Sequence, residues 1–540
     1  MNFASLEFIT LENFQSLKKR TEIPIKPLTF LYGPNSSGKS AIYDALTFID
    51  SFLHDSEEEL QNYINRWAYK SKGNTLIDKS ESPHMIVEVR FSIYPNRNLL
   101  TDSNFGDYEA TPSEYGNFSS SINSFDLRIE INDIDILFTA SIDGKKLIEI
   151  VHAGGDNDHY LLIIHIKTFD KVIVKLADRH KIKLDNKKDL RVPCWILREK
   201  GINLVSTLFN ASSFESYNFN RDLISIGNHI LECFKDIKFS PSIVSADRTT
   251  IQNEELSCVL SIGQNSGHIQ VAEKTIPTSW WPHHPCVGLP INYIQSPTES
   301  QQRVQNLSSS FMLEIAISRF AVEMKRKNIG IQEWKANEIE KDEALVDYVN
   351  RCLADYLFLD QGYQIVHEIC EILPPAPFNQ THFFAALLIC SLMDKSGRRI
   401  TFEDVGTGIS CIIPILVTLY SSASFIQQPE LHLHPALQSA FGDILVETTK
   451  EKKGYKHFIE THSEYILLRC LRRIRETTNG KHSTQSPIAL TPDDISVLYF
   501  CPQADGSTEI KKIRVSSQGD FIDRWPRGFF EERGKELFDE

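Results

Sequence analysis

Gly33-Pro34-Asn35-Ser36-Ser37-Gly38-Lys39-Ser40 fits the pattern GxxxxGK[ST] at every fixed position. An apolar run, Pro27-Leu28-Thr29-Phe30-Leu31-Tyr32, leads into it, and an amphipathic segment follows Ser40. Strand, glycine-rich loop and helix in that order is the context in which this pattern carries chemistry. The backbone N–H groups of the loop and of the helix N-terminus then surround a phosphate. On this reading Asn35, Ser36 and Gly38 belong to the cradle. Lys39 neutralises the β- and γ-phosphates, and Ser40 coordinates Mg²⁺. The expected cofactors are ATP and Mg²⁺. A chance glycine-rich turn is the competing view, and the flanking strand and helix argue against it.

Outward from the loop, the chain is 540 residues long, room for roughly two to four domains. Hydrophobic residues at 41% and charged residues at 24% describe a globular protein with ample core, not a disordered one. The net charge of −14 excludes one broad cationic surface, so any nucleic-acid contact is local or supplied by a partner. Ten cysteines without a CxxC pair argue against a zinc ribbon or a disulfide framework. They fit a reducing compartment, and the expected location is the cytoplasm. The N-terminus lacks the basic and apolar regions of a signal peptide. The longest apolar runs, Phe383–Met393 and Ile409–Tyr420, are about half the length of a membrane span, so no membrane role is expected.

Strand-like runs are expected at Met85–Tyr94, Phe125–Ile131, Ile134–Ala140, Tyr160–Lys167 and Lys171–Leu176, with a turn at Asp143-Gly144. A largely helical stretch follows, including Asn306–Lys327 and Glu343–Leu357, with an irregular Pro/Trp/His-rich part over 277–296. From about residue 396 the pattern returns to alternating strand and helix. There is no internal repeat, and no segment long enough for an extended coiled coil.

Leu28–Leu46 resembles the start of an ABC/SMC-type ATPase head of the small AAA class. That class includes double-strand-break repair ATPases and the overcoming-lysogenisation family. Such heads need three further pieces, and each has a counterpart here. Asp404-Val405-Gly406-Thr407-Gly408-Ile409-Ser410 resembles the signature loop, in which Gly406, Gly408 and Ser410 would contact ATP held by an opposite subunit. Ser424–Pro435 resembles the Walker B strand and the loop after it. Phe458–Glu464 resembles the switch-histidine segment, with His462 reading the γ-phosphate. His432 and His434 lack a third ligand nearby and read as structural.

The usual Walker B strand ends in an acid that orders the Mg²⁺ shell, followed by one that polarises the attacking water. Gln427 stands at the metal position and Gln428 at the catalytic position. An amide orients a water but cannot take its proton, and general-base help is worth about 10²–10⁴-fold. Hydrolysis is therefore expected to be weak or absent while binding persists. Glu430 is the nearest spare carboxylate, either a substitute base or a structural residue after Pro429. A natural loss and a deliberate Glu→Gln replacement that traps ATP leave the same residue at 427, and the sequence fits both.

Val244–Arg248, Glu460–Arg475 and Gly519–Phe530 resemble an AAA ATPase family of anti-phage defence operons, including the PtuA subunit of Septu-type and retron-associated systems. The resemblance implies an ATP-binding regulatory or scaffold subunit that controls a separate effector nuclease. It implies a homodimer or higher even-numbered oligomer, a nuclease of HNH type encoded nearby, and, in a retron setting, a reverse transcriptase with its RNA–DNA product. Residues 485–540 are too short for a Toprim nuclease and hold no Asp-x-Asp pair, and His283-His284-Pro285-Cys286 forms no HNH site. The alternative is an active ATPase of DNA-repair or SMC-like type. Arg469, Arg472 and Arg473, spaced i, i+3, i+4, read as a solvated helix face or as a phosphate-binding surface.

The expected fold is α/β, a P-loop head split in sequence. Residues 1–199 would form the N-lobe with the phosphate loop and a β-rich segment. A helical insertion would span 200–375, and the C-lobe with the remaining motifs 376–540.

Overall fold

The computed structural model describes residues 4–54, 84–93, 124–131, 136–142, 145–152, 159–164, 190–195, 241–244, 246, 257–262, 269–272, 345–372, 385–400, 404–451, 455–480 and 489–526. The chain opens with β1 (Ala4–Glu12), β2 (Thr21–Pro24), β3 (Leu28–Tyr32) and α1 (Ala41–His54). Then come β4 (Met85–Ile93), β5 (Ser124–Ile131), β6 (Ile136–Ile142), β7 (Lys145–His152), β8 (His159–Ile164) and β9 (Leu190–Trp195). All of these strands except β3 form one antiparallel sheet, in the order β2-β1-β4-β5-β6-β7-β8-β9. The period-two pattern of β4 shows why it is a sheet strand. Val87, Val89 and Phe91 are buried, while Glu88 and Arg90 on the other face pair across strands with Arg128 and Asp126.

A second region contains β10 (Ser242–Val244), β11 (Ser257–Ile262), β12 (Ile269–Ala272) and α2 over 345–351, which runs into a π-helical turn at Cys352–Leu357. It continues with β13 (Gln364–Ile372), β14 (Ala385–Met393) and β15 (Arg399–Ile400). A small sheet runs β12-β11-β14-β13, with β15 on β14. The helical insertion expected over 200–375 lies mostly outside the described residues. Those described there include four strands as well as α2. Asn306–Lys327, the stretch 277–296, the run Lys171–Leu176 and the turn Asp143-Gly144 also lie outside the described residues.

The last third alternates as expected: α3 (Thr407–Ser421), β16 (Ser424–Gln427), α4 (Pro435–Glu451), β17 (His457–Glu460), α5 (Glu464–Thr478), β18 (Ile495–Pro502) and β19 (Thr508–Lys512). These strands join β3 and β10 in a six-stranded sheet, order β10-β16-β17-β3-β18-β19. Every pairing from β10 to β18 is parallel, and β19 closes the edge antiparallel. A parallel strand buried on both faces reads as a continuous apolar run, and β3 is buried at all five positions. The fold is thus mixed α/β, and the N-terminal β3 lies in the sheet between two C-terminal strands, β17 and β18. The two ends of the sequence build one sheet.

Candidate functional site

In parallel sheets, ligand sites form beyond the carboxyl ends of the strands. The phosphate loop follows β3, Gln428 follows β16 and Thr461-His462 follow β17, so three motifs far apart in sequence emerge at one sheet edge. The loop is wedged between two walls. Gly38 adopts φ +84°, and a Cβ there would come within 2.0 Å of Ser16 Oγ, so only glycine fits. Thr508 of β19 donates to the Ser37 carbonyl at 2.9 Å and its N–H donates to Ser16 O at 2.7 Å. Asn35 and Ser36 are exposed at the tip, with Ser36 at φ +60°. Ser40 caps the start of α1 through its carbonyl, which accepts from the Asp44 N–H at 2.9 Å.

Lys39 is only 4% exposed. Its Nζ donates to the Gly33 carbonyl at 3.1 Å and the Pro34 carbonyl at 2.9 Å. Glu460 Oε1 lies 3.5 Å away. Burial lowers the lysine pKa, and the Glu460 carboxylate opposes that shift. The attraction between the two groups offsets part of the cost of burying the lysine charge.

Gln427 and Gln428 close β16. In the register of the sheet Gln427 stands directly beside Glu460 on β17. Its Nε2 donates to Glu460 Oε2 at 3.3 Å, and its Oε1 accepts from the Ala246 N–H at 3.4 Å. Ala246 and Val244 belong to the Val244–Arg248 segment; Ser245, Asp247 and Arg248 lie outside the described residues. Gln428 sits at φ +46°, a strained left-handed corner, and its N–H donates to the Glu460 carbonyl at 2.7 Å. Glu430 has both carboxylate oxygens engaged. One accepts from Thr461 Oγ1 at 2.6 Å, the other from the His462 N–H at 2.8 Å. The carboxylate thus ties the loop after β16 to the segment after β17. His462 is half-buried, and burial together with the Lys39 charge lowers its pKa. His462 follows β17 and the phosphate loop follows β3, and these two strands pair directly in the sheet.

The signature-like turn starts α3. Gly406 and Thr407 are exposed at the helix N-terminus, and a Cβ at Gly408 would fall 2.8 Å from the His432 carbonyl. Ser410, expected as a donor, is 1% exposed inside the first turn. The exposed residues of this turn are Asp404, Gly406 and Thr407. His434 accepts through Nδ1 from the Ala436 N–H at the start of α4, a structural role. No group of three or more His, Cys, Asp or Glu positioned for a metal occurs among the described residues. Mg²⁺ fits here only as an ion shared with bound phosphates, since it keeps several waters and takes one or two protein oxygens. Ser40 and Glu460 are oxygen donors of the right hardness for that.

The arginines of α5 are all engaged in ion pairs. Arg469 and Arg473 both pair with Asp443 on α4, at 2.8 and 2.7 Å. Arg472 and Arg473 hold Glu476, and Arg475 pairs with Asp520. Arg473 is 5% exposed and with Arg469 clamps α5 to α4, while Arg472 and Arg475, at 61% and 50%, face solvent. The Gly519–Phe530 segment also acts structurally as far as it is described. Trp525 packs edge-on against Tyr32 at 5.3 Å, and Tyr32 Oη donates to the Ser463 carbonyl at 2.9 Å. Sequence reasoning missed the place of Glu460 beside Lys39. The signal available was an acid closing a four-residue strand whose other members are buried.

Comparison with known proteins adds the following. The profile of a family described as "AAA ATPase domain" matches residues 5–238 and 289–467. A family described as "Protein of unknown function (DUF3696)" matches residues 490–539. No curated protein matches the chain. Among solved structures, the SMC head domain from Thermotoga maritima aligns at 10% identity and a TM-score of 0.36, covering 95% of this chain and 100% of that one. The Smc head domain from Pyrococcus furiosus, with an extended coiled coil and bound to the C-terminal domain of ScpA, aligns at 11% identity and a TM-score of 0.37, covering 99% of each.

Proposed function

The chain belongs to the AAA ATPase domain family, and on that premise we propose that it works as an ATP-operated switch that binds nucleotide firmly and turns it over slowly. The observation that carries this reading is the pairing of an intact phosphate loop with Gln427 and Gln428 at the end of β16. Lys39 supplies the positive charge, and Ser40 an oxygen for Mg²⁺. Gln428 stands at the strand corner where a base would be needed, and its amide cannot accept a proton. The hydrogen bonds of Glu430 to Thr461 and His462 support a tying role for it in this reading. His462, in the segment after β17 that resembles the switch-histidine motif, would read the γ-phosphate.

In this reading two chains pair, with the exposed turn at Gly406 and Thr407 facing the phosphate loop of the partner subunit. The switch controls a separate effector nuclease, of HNH type, in an anti-phage defence complex. In a retron setting it also holds a reverse transcriptase and its RNA–DNA product. The support for the defence role is the likeness of Glu460–Arg475 and Gly519–Phe530 to PtuA-type ATPases.

The test is steady-state ATP turnover of the full chain beside Gln428→Glu. The wild type should hydrolyse slowly, and the variant should gain about 10²-fold as a base is restored. Rapid turnover by the wild type that is lost in Lys39→Ala would overturn the switch and favour an active ATPase of repair or SMC-like type.

A further inference from the structure

We infer that Glu460 is the carboxylate that serves the nucleotide's divalent cation, moved one strand from its usual place at position 427. This rests on the ATP-binding reading above and deepens it. Neighbouring strands of a sheet lie about 4.8 Å apart, and residues paired in parallel register point to the same face. Gln427 and Glu460 are paired in that way, and their side chains touch at 3.3 Å. The acid missing from the end of β16 is thus present at the same height of the sheet on β17. That strand lies between β16 and the phosphate-loop strand β3, so the carboxylate is also nearer to Lys39.

Charge balance says what Glu460 does there. Lys39 brings one positive charge, and Glu460 at 3.5 Å already matches it. A triphosphate arriving at Lys39 brings several negative charges close to that carboxylate. Without a cation between them the two repel. With Mg²⁺ on the phosphates, a carboxylate within one water of the ion gains a charge-assisted hydrogen bond from a metal-bound water. The amide of Gln427 stays useful as an orienting group, holding Glu460 through its Nε2 and itself held by the Ala246 N–H. Glu460 supplies no base in this scheme, since Gln428 holds the position next to the attacking water. Metal binding and slow turnover then coexist.

The experiment measures the affinity of a fluorescent ATP analogue for the full chain and for Glu460→Gln, each in Mg²⁺ and in EDTA. The substitution keeps size and hydrogen bonding, and a thermal melt checks that the variant is folded. The expected result is a change of sign. Glu460→Gln weakens binding about tenfold in Mg²⁺ and strengthens it in EDTA by a similar factor. A second variant, Gln427→Glu in the Glu460→Gln background, should regain the Mg²⁺ dependence, because a carboxylate returns to the adjacent strand. Tighter binding by Glu460→Gln in both conditions would make Glu460 a mere counter-ion of Lys39 and overturn the inference. Unchanged affinity in both conditions would overturn it as well. Failure of the wild type to bind in either condition overturns the ATP-binding reading itself, which a defect confined to the variant does not.

Discussion

Glu430 reaches from the loop after β16 to the segment after β17 and takes two hydrogen bonds there. A carboxylate hydrogen-bonded through both oxygens is a firm tie. Replacing it with alanine leaves Thr461 Oγ1 and the His462 N–H without their acceptor, a cost of about 1–3 kcal/mol for each partly buried donor. Glu430→Ala should therefore lower the unfolding midpoint and weaken ATP binding together, by loosening His462. Glu430→Gln keeps one acceptor oxygen and should lose less in both. Calorimetry and nucleotide titration on the two variants check this, and equal loss in both would show that charge matters here more than the tie. Neighbouring residues differ in how far the sequence reveals them. Lys39 and Ser40 were legible because the whole pattern lies within eight residues, Gly33–Ser40. Glu460 was not, because its role depends on strand register. No local pattern says that it stands beside Gln427 and within 3.5 Å of Lys39.

At the scale of elements, β17 carries a second consequence. His457, at its buried start, meets Ser424 Oγ through Nδ1 at 2.8 Å, and burial lowers its pKa to about 3. The unfolded chain protonates this ring near 6.5. Between those values the unfolded state binds a proton that the folded state refuses. Stability is therefore full above about 6.5 and is lost as the pH falls toward 3, by at most about 1.4 kcal/mol per pH unit from this residue. Thermal melts from pH 7.5 to 5 should show the slope, and His457→Gln should flatten it. An identical slope in the variant would place the acid sensitivity elsewhere. The elements themselves were unevenly readable. The C-terminal alternation of strand and helix followed from apolar periodicity. Strands β7 and β9 were not expected; β9 contains Pro193, and β7 is rich in lysine and glutamate. Strands β10 to β13 lie in a region expected to be helical; β10 and β11 form by pairing with the distant strands β16 and β14, while β12 and β13 pair with their sequence neighbours β11 and β14. In particular, β10 exists as a three-residue edge on β16.

For the whole molecule, the split arrangement explains why sequence segments do not map onto folding units. Strand β3 sits between β17 and β18, and Trp525 packs on Tyr32, so residues almost five hundred positions apart share the wall of one site. Elements from both halves of the sequence meet at this sheet edge. The proposed switch adds a partner subunit that presents its exposed turn at Gly406 and Thr407 to the nucleotide. Pairing then depends on ATP, and slow turnover keeps the pair together. The central claim is tested most directly by sedimentation of the full chain with and without MgATP, beside Lys39→Ala. The account predicts a doubling of mass, or a higher even multiple, only when wild-type protein and MgATP are combined. The same mass in all conditions, or an ATP-dependent increase that survives in Lys39→Ala, would contradict it.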